Sequence, residues 1–101
     1  MQQEPLSILG AIGNHFRQIS AARTLLDNGK NYNDLIRLYP RLRDFSAKKI
    51  IGAARNFSGN FCRKASELIL ETDVRIKRSY DDPERLLEML LLQLAQEARN
   101  G

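Results

Sequence analysis

Seventeen residues near the C-terminus, Asp82 to Ala98 (DPERLLEMLLLQLAQEA), constrain this chain more than any other stretch. Asp81 or Asp82 can cap a helix there, Pro83 suits its first position, and Glu84 favours the positive end of the helix dipole. At 100° per residue, Leu86, Leu87, Leu90, Leu91, Leu94, Ala95 and Ala98 fill an arc of roughly half the circumference. Met89 and Leu92 fall on the other side, beside Arg85, Gln93 and Gln96. A surface helix needs one apolar stripe, and this one has a stripe and a second apolar pair. That pair is either peripheral core or a contact for another molecule.

The same reading assigns helices to the rest of the chain. From Pro5 to Asp27, Leu9, Ile12, Phe16, Ile19 and Leu26 share one face, with Ile8 alongside. Glu4-Pro5 opens this helix and Asn28-Gly29 closes it, glycine supplying the left-handed residue that ends helices. Gly10 and Gly13 lie off the stripe, where they permit close approach by a neighbouring helix. Arg23 projects into the middle of the apolar arc, so it either snorkels past a neighbour or meets a carboxylate, because an unpaired buried charge is too costly. His15, at the edge of the face, has no second ligand-type residue at i+3 or i+4 and reads as a boundary histidine.

Asn31 or Asn33 can cap a short helix that runs to Tyr39, its buried side being Leu35, Ile36, Leu38 and Tyr39, and Pro40 stops it. After the connector Arg41 to Asp44, Asp44 or Ser46 caps a helix over about Ala47 to Phe57. Ala47, Ile50, Ile51, Ala54 and Phe57 face inward there, and Lys48, Lys49, Arg55 and Asn56 face out. Ser58 caps a long helix from Gly59 or Asn60 to Arg78, with Phe61, Cys62, Ala65, Leu68, Ile69, Thr72 and Ile76 on one face. Leu70 and Val74 sit opposite, a second apolar seam one turn long. Arg63–Glu67, Glu71–Arg75 and Asp73–Lys77 are opposite charges at i,i+4, of which Asp73–Lys77 is taken as a structural pair. Asp73 borders the apolar face and is also a candidate partner for Arg23. No stretch alternates with period two, so the expectation is an all-α chain: a compact five-helix bundle with short links between antiparallel neighbours.

Composition limits the function classes. The 101 residues make one domain with 43% hydrophobic and 28% charged residues, an ordinary globular balance. One cysteine rules out an internal disulfide framework and suits a reducing cytosol, and Cys62 reads as a small buried hydrophobe. No apolar run is long enough to span a membrane, and the N-terminus lacks the build of a signal peptide. There is no phosphate-binding glycine loop, no metal-spaced His/Cys cluster and no nucleophile elbow, so no catalytic residue, metal or cofactor is assigned. Asp81-Asp82, the one adjacent acidic pair, precedes Pro83 and reads as a cap rather than a metal site. The net charge of +4 hides an asymmetry: Lys30 to Lys64 holds nine Lys or Arg against two acidic residues. A basic middle is either a solvated face or a site for nucleic acid or an acidic partner. Two short helices joined by a tight turn, the second with a basic outer face, form a weak helix-turn-helix-like pattern, which nominates Arg41, Arg43, Lys48, Lys49 and Arg55 as possible DNA contacts.

From Glu4 to Leu94 the order of features resembles the C-terminal domain of the delta subunit of the bacterial DNA polymerase III clamp loader. The stretches that carry the likeness are His15-Phe16-Arg17 with Leu25-Leu26-x-x-Gly29, then Phe45-x-Ala47-Lys48-Lys49-Ile50-Ile51 with Ala54-Arg55-x-Phe57-Ser58, then Asp73-x-x-Ile76-Lys77, and last Leu87-Glu88-x-Leu90-Leu91-Leu92-x-Leu94. The family often has His-Pro before the aromatic, where this chain has Arg43-Asp44, a departure that bears on how the third helix begins.

The resemblance implies a collar-type domain, corresponding to the last third of a longer delta subunit, that packs against the DnaX-encoded motor subunits and delta prime. That assembly loads the sliding clamp onto primed DNA in the cytoplasm, and the clamp itself is met through N-terminal domains absent from this chain. The implied role is non-catalytic, although the parent subunit belongs to the DNA polymerase III holoenzyme. Under it, Leu70, Val74, Met89 and Leu92 are the expected subunit-contact residues. The alternative is a small DNA-binding module that uses the basic middle segment.

Overall fold

The helix punctuation read from the sequence appears as hydrogen bonds in the computed structural model, which describes residues 3–100. The elements are α1 (Gln3–Asp27), α2 (Tyr32–Leu38), α3 (Asp44–Arg55), α4 (Gly59–Arg78) and α5 (Pro83–Asn100), and the described residues contain no strand. Gly29 closes α1 at φ +72°, and the Lys30 N–H then reaches back to the Leu25 carbonyl at 2.8 Å. Asn31 and Asp34 form a reciprocal capping box on α2: the Asn31 side chain accepts from the Asn33 N–H, and Asp34 accepts from the Asn31 N–H, each at 3.0 Å. Ser58 Oγ accepts from the Phe61 N–H at 2.9 Å to start α4, and Asp82 accepts from the Glu84 N–H at 3.2 Å ahead of α5.

Helix α3 departs from the reading, because it begins at Asp44 rather than near Ala47. Arg43 holds the extended N-cap position and makes no side-chain capping bond. Asp44 is inside the first turn, where its charge favours the dipole and its carboxylate meets Lys48 at 3.3 Å. Neither Asp44 nor Ser46 is therefore the cap.

Helix α1 touches all four of the others, and its two halves serve two cores. Ile19 and Ala22 close one core with Leu35 of α2 and with Ala47, Ile50, Ile51 and Ala54 of α3. Leu9 joins the other, with Phe61 and Ala65 of α4 and Leu87, Leu90 and Leu94 of α5; Ile12 and Phe16 pack against it. Phe57, in the α3–α4 connection, packs on both. Its ring stacks on Phe61 at 4.7 Å between centroids, and Phe16 leans on the two rings at 6.4 and 5.9 Å. Gly13 lets α4 come close: a Cβ there would sit 3.5 Å from Ile69 Cγ2, whereas one at Gly10 would meet nothing within 4 Å.

Three expectations about side chains change. Leu38, at the end of α2, is exposed rather than buried. In α5 the buried face narrows to Leu86, Leu87, Leu90 and Leu94, while Leu91, Ala95 and Ala98 are exposed, because α5 is covered only by α4 and the edge of α1. Arg23 does meet a carboxylate, but that of Asp27 on its own helix and not that of Asp73, which pairs with Lys77. Its guanidinium donates to the Ala54 and Phe57 carbonyls at 3.0 and 3.4 Å, at the C-terminus of α3, and is held there by Asp27 at 2.7 Å. A cation at a helix C-terminus adds a donor to the terminal carbonyls and favours the negative end of the dipole.

Three outcomes follow. Arg23→Met removes the charged donor from both carbonyls, leaving Ala54 with backbone donors such as the Phe57 N–H at 3.2 Å, and lowers stability by about 2 kcal/mol, a drop of roughly 10 °C in melting temperature for a domain of this size. Arg23→Lys, without the planar fork, recovers less than half of that in the same thermal melt. Gly10→Ala, with open space around the new methyl group, raises stability by about 1 kcal/mol in a denaturant titration.

Candidate subunit interface

Packing on one side only leaves the backs of α4 and α5 uncovered. The molecule measures 44 × 31 × 18 Å. Its thinnest dimension is less than two helix diameters of about 10–12 Å, so no helix is enclosed on all sides. On α4, Leu70 is 64% exposed and Val74 40% exposed; on α5, Met89 is 42%, Leu91 49% and Leu92 68% exposed. Leu91 is the residue that sequence reasoning missed here. Its place near the edge of the apolar arc was the available signal, and it needed knowledge of how narrowly α5 is covered.

Leu70 also borders an open groove of about 360 Å³ between α1 and α4, floored by Leu9, Gly13, Phe16 and Ile69 and flanked by Arg17 and Asp73. The groove exists because Gly10 and Gly13 remove side chains from that face of α1. Asp73 accepts from Lys77 Nζ at 3.1 Å, one turn along α4. Arg63 turns to Asn60 instead of Glu67, and Arg75 reaches Asp81 at 3.6 Å instead of Glu71. Near the seam, Lys77 is thus paired within α4 and Arg75 with the connection that follows it.

The basic residues gather at the other end. Arg41 and Arg43 stand exposed in the α2–α3 turn, and Lys48, Lys49 and Arg55 on the outer side of α3. Lys48 Nζ lies 5.1 Å from the centroid of the Tyr32 ring, and Lys49 Nζ lies 5.3 Å from that of Phe45. The α3 and α5 helices make no contact with one another, so the basic and apolar surfaces are separate.

Among the described residues no group of three or more His, Cys, Asp or Glu side chains could hold a metal ion. No described helix is long and apolar enough to cross a membrane. His15 is exposed and meets Phe16 edge-on at 6.3 Å. Cys62 is buried in the first core, and that burial pushes its thiol above the usual value of 9.0, with Ser20 and Arg23 acting weakly the other way.

The arrangement is a helical domain with two cores inside, exposed apolar side chains on the backs of two helices and a basic patch apart from them. The chain belongs to the family of the DNA polymerase III delta subunit, C-terminal domain, which matches residues 1–94 and bears out the likeness carried by the four sequence stretches above. Neither the curated proteins nor the solved structures compared with it give a match.

The buried, protonated thiol makes a prediction of its own. At pH 8, Cys62 in the native chain reacts with a maleimide at least about a hundredfold more slowly than in urea, since modification waits on opening of the core. Equal rates would place the thiol at the surface.

Proposed function

We propose that this chain is a non-catalytic assembly domain of a clamp-loader delta subunit, a collar piece that packs on neighbouring subunits through the outer faces of α4 and α5. Membership of the delta C-terminal family supports a clamp-loader role in general. The single observation that carries the finer reading is the row of large apolar side chains left in water at Leu70, Val74, Met89, Leu91 and Leu92. Stable interfaces are built around apolar centres with polar rims, and the Arg85, Gln93 and Gln96 side chains beside Met89 and Leu92 supply such a rim.

Total surface points the same way. A compact monomer of 11.6 kDa exposes about 5,800 Å². This chain exposes 7246 Å², roughly a quarter more. A flat two-layer slab with that much surface gains from neighbours on its faces, and collar partners of the kind found in the family, the DnaX-encoded motor subunits and delta prime, are the natural occupants. In this reading the domain forms the last third of a delta subunit in the cytoplasm. The sliding clamp is contacted by the N-terminal domains of that subunit, and primed DNA is served by the assembly as a whole.

The test is the double variant Met89→Ser/Leu92→Ser. Both side chains are exposed, so the melting temperature moves by only a few degrees. Affinity for the partner subunits, measured by titration of the delta subunit into the remaining clamp-loader proteins, falls at least about tenfold, the loss expected when central apolar contacts are truncated. Unchanged affinity in a folded variant removes these two residues from the interface.

A further inference from the structure

The outward side of α3 carries features that neither the fold nor the α4 and α5 contacts use. Phe45, Lys49, Gly52 and Asn56 follow one another at spacings of four, three and four, opposite the buried face of the helix, with Lys48 and Arg55 alongside. All six are exposed, Phe45 to 71% of its area. An exposed phenyl ring at the tip of a basic helix contributes nothing to either core. Gly52 is equally unexplained from inside. A Cβ there would meet nothing within 4 Å, so any better helix former would fit, yet no side chain stands between two pairs of polar residues, and the Gly52 carbonyl accepts from the Asn56 side chain at 3.5 Å. Of the nine Lys and Arg between Lys30 and Lys64, only Arg37 and Lys48 lie within 4.0 Å of a carboxylate among the described residues. The positive field of this end is therefore largely uncompensated.

We infer that this ridge holds an unpaired nucleic-acid strand. Lys48, Lys49 and Arg55 neutralise phosphates, and the open space left by the missing side chain at Gly52 lets the sugar-phosphate chain approach between them. Phe45 offers its free ring face to a base, while Lys49 lies against the other. A row of acidic side chains on a protein partner would engage the cations but leave Phe45 idle. A duplex hides its base faces and would leave the ring idle too. Base stacking on an aromatic flanked by cations is how proteins hold single strands with little sequence preference. The ridge lies on a helix that does not touch α5, so the inference is independent of the subunit-contact reading and its test does not need the assembly.

Fluorescence anisotropy of a labelled oligothymidine titrated with the 101-residue chain over a range of salt decides it. Binding weakens with salt, and Lys49→Gln and Arg55→Gln each reduce the slope of log K against log salt by about 0.7. Phe45→Ala weakens binding at least about fivefold and leaves the slope unchanged, which marks a stacking contact rather than an ionic one. Gly52→Glu weakens binding with helix content intact by circular dichroism, and Met89→Ser/Leu92→Ser binds as the unaltered chain does. The inference is overturned by any of three results. These are no binding at low salt, equal affinity for a duplex, or ridge variants that stay folded and bind normally. Displacement by polyglutamate as readily as by oligothymidine also overturns it and assigns the ridge to an acidic protein surface.

Discussion

The rest of the structure depends on one helix, α1, that packs against all four of the others. With 25 residues, α1 is long enough to run past both cores, and its apolar stripe changes partners halfway. Near its C-terminal half it meets α2 and α3, and near its N-terminal half α4 and α5. Each of those helix pairs alone buries too little to hold its place. Phe57 makes the two halves one body, since its ring belongs to both clusters and lies on the Phe16–Phe61 pair that joins α1 to α4. Arg23 acts at the same junction: the charge that looked out of place in the apolar arc fixes the end of α3 against α1 by holding the Ala54 carbonyl of α3 and the Phe57 carbonyl of the connection after it.

This division of labour explains where spare surface is left. Helix α1, in contact with the other four, spends its apolar stripe on both cores, but α4 and α5 are each left open on their outer side. The 18 Å thickness gives them no second layer. Apolar residues on the backs of α4 and α5 therefore stay in water in a single copy, although burying each one fully would be worth about 1.5–3 kcal/mol. A chain that carries Leu70, Leu91 and Leu92 in such positions holds hydrophobic free energy that only a neighbour can release. The basic residues of α3 lie on a helix that does not touch α5, so the two surfaces are separate.

What was legible in the sequence was what acts locally. Asn31, Ser58, Asp82 and Gly29 sit within a turn of the backbone groups they satisfy, so residue type and position sufficed to place the helix ends. Asp44 misled because an acidic residue suits both the cap and the first turn, and only the backbone at Arg43 distinguishes them. The helical wheel put Leu91 inside because it measures the width of an apolar arc and not how much of that arc a neighbour covers. The partner of Arg23 was beyond reach for a related reason: carbonyls at the end of α3 become its acceptors only through the way α1 and α3 cross. At the candidate interface, the opposite-side positions of Leu70, Val74, Met89 and Leu92 were readable from periodicity, and all four stand exposed. The exposure of Phe45 was not legible, because a helix expected from about Ala47 gives Phe45 no face, and the groove beside Leu70 needed the close approach of α1 and α4.

The most direct measurement is hydroxyl-radical footprinting of the delta subunit, free and assembled with its clamp-loader partners. The surface assignment predicts that Leu70, Met89, Leu91 and Leu92 are oxidised readily in the free protein and are strongly protected in the assembly, while Leu38 is oxidised alike in both. Equal oxidation of the α4 and α5 residues in the two states would contradict it and leave their exposure without a structural purpose.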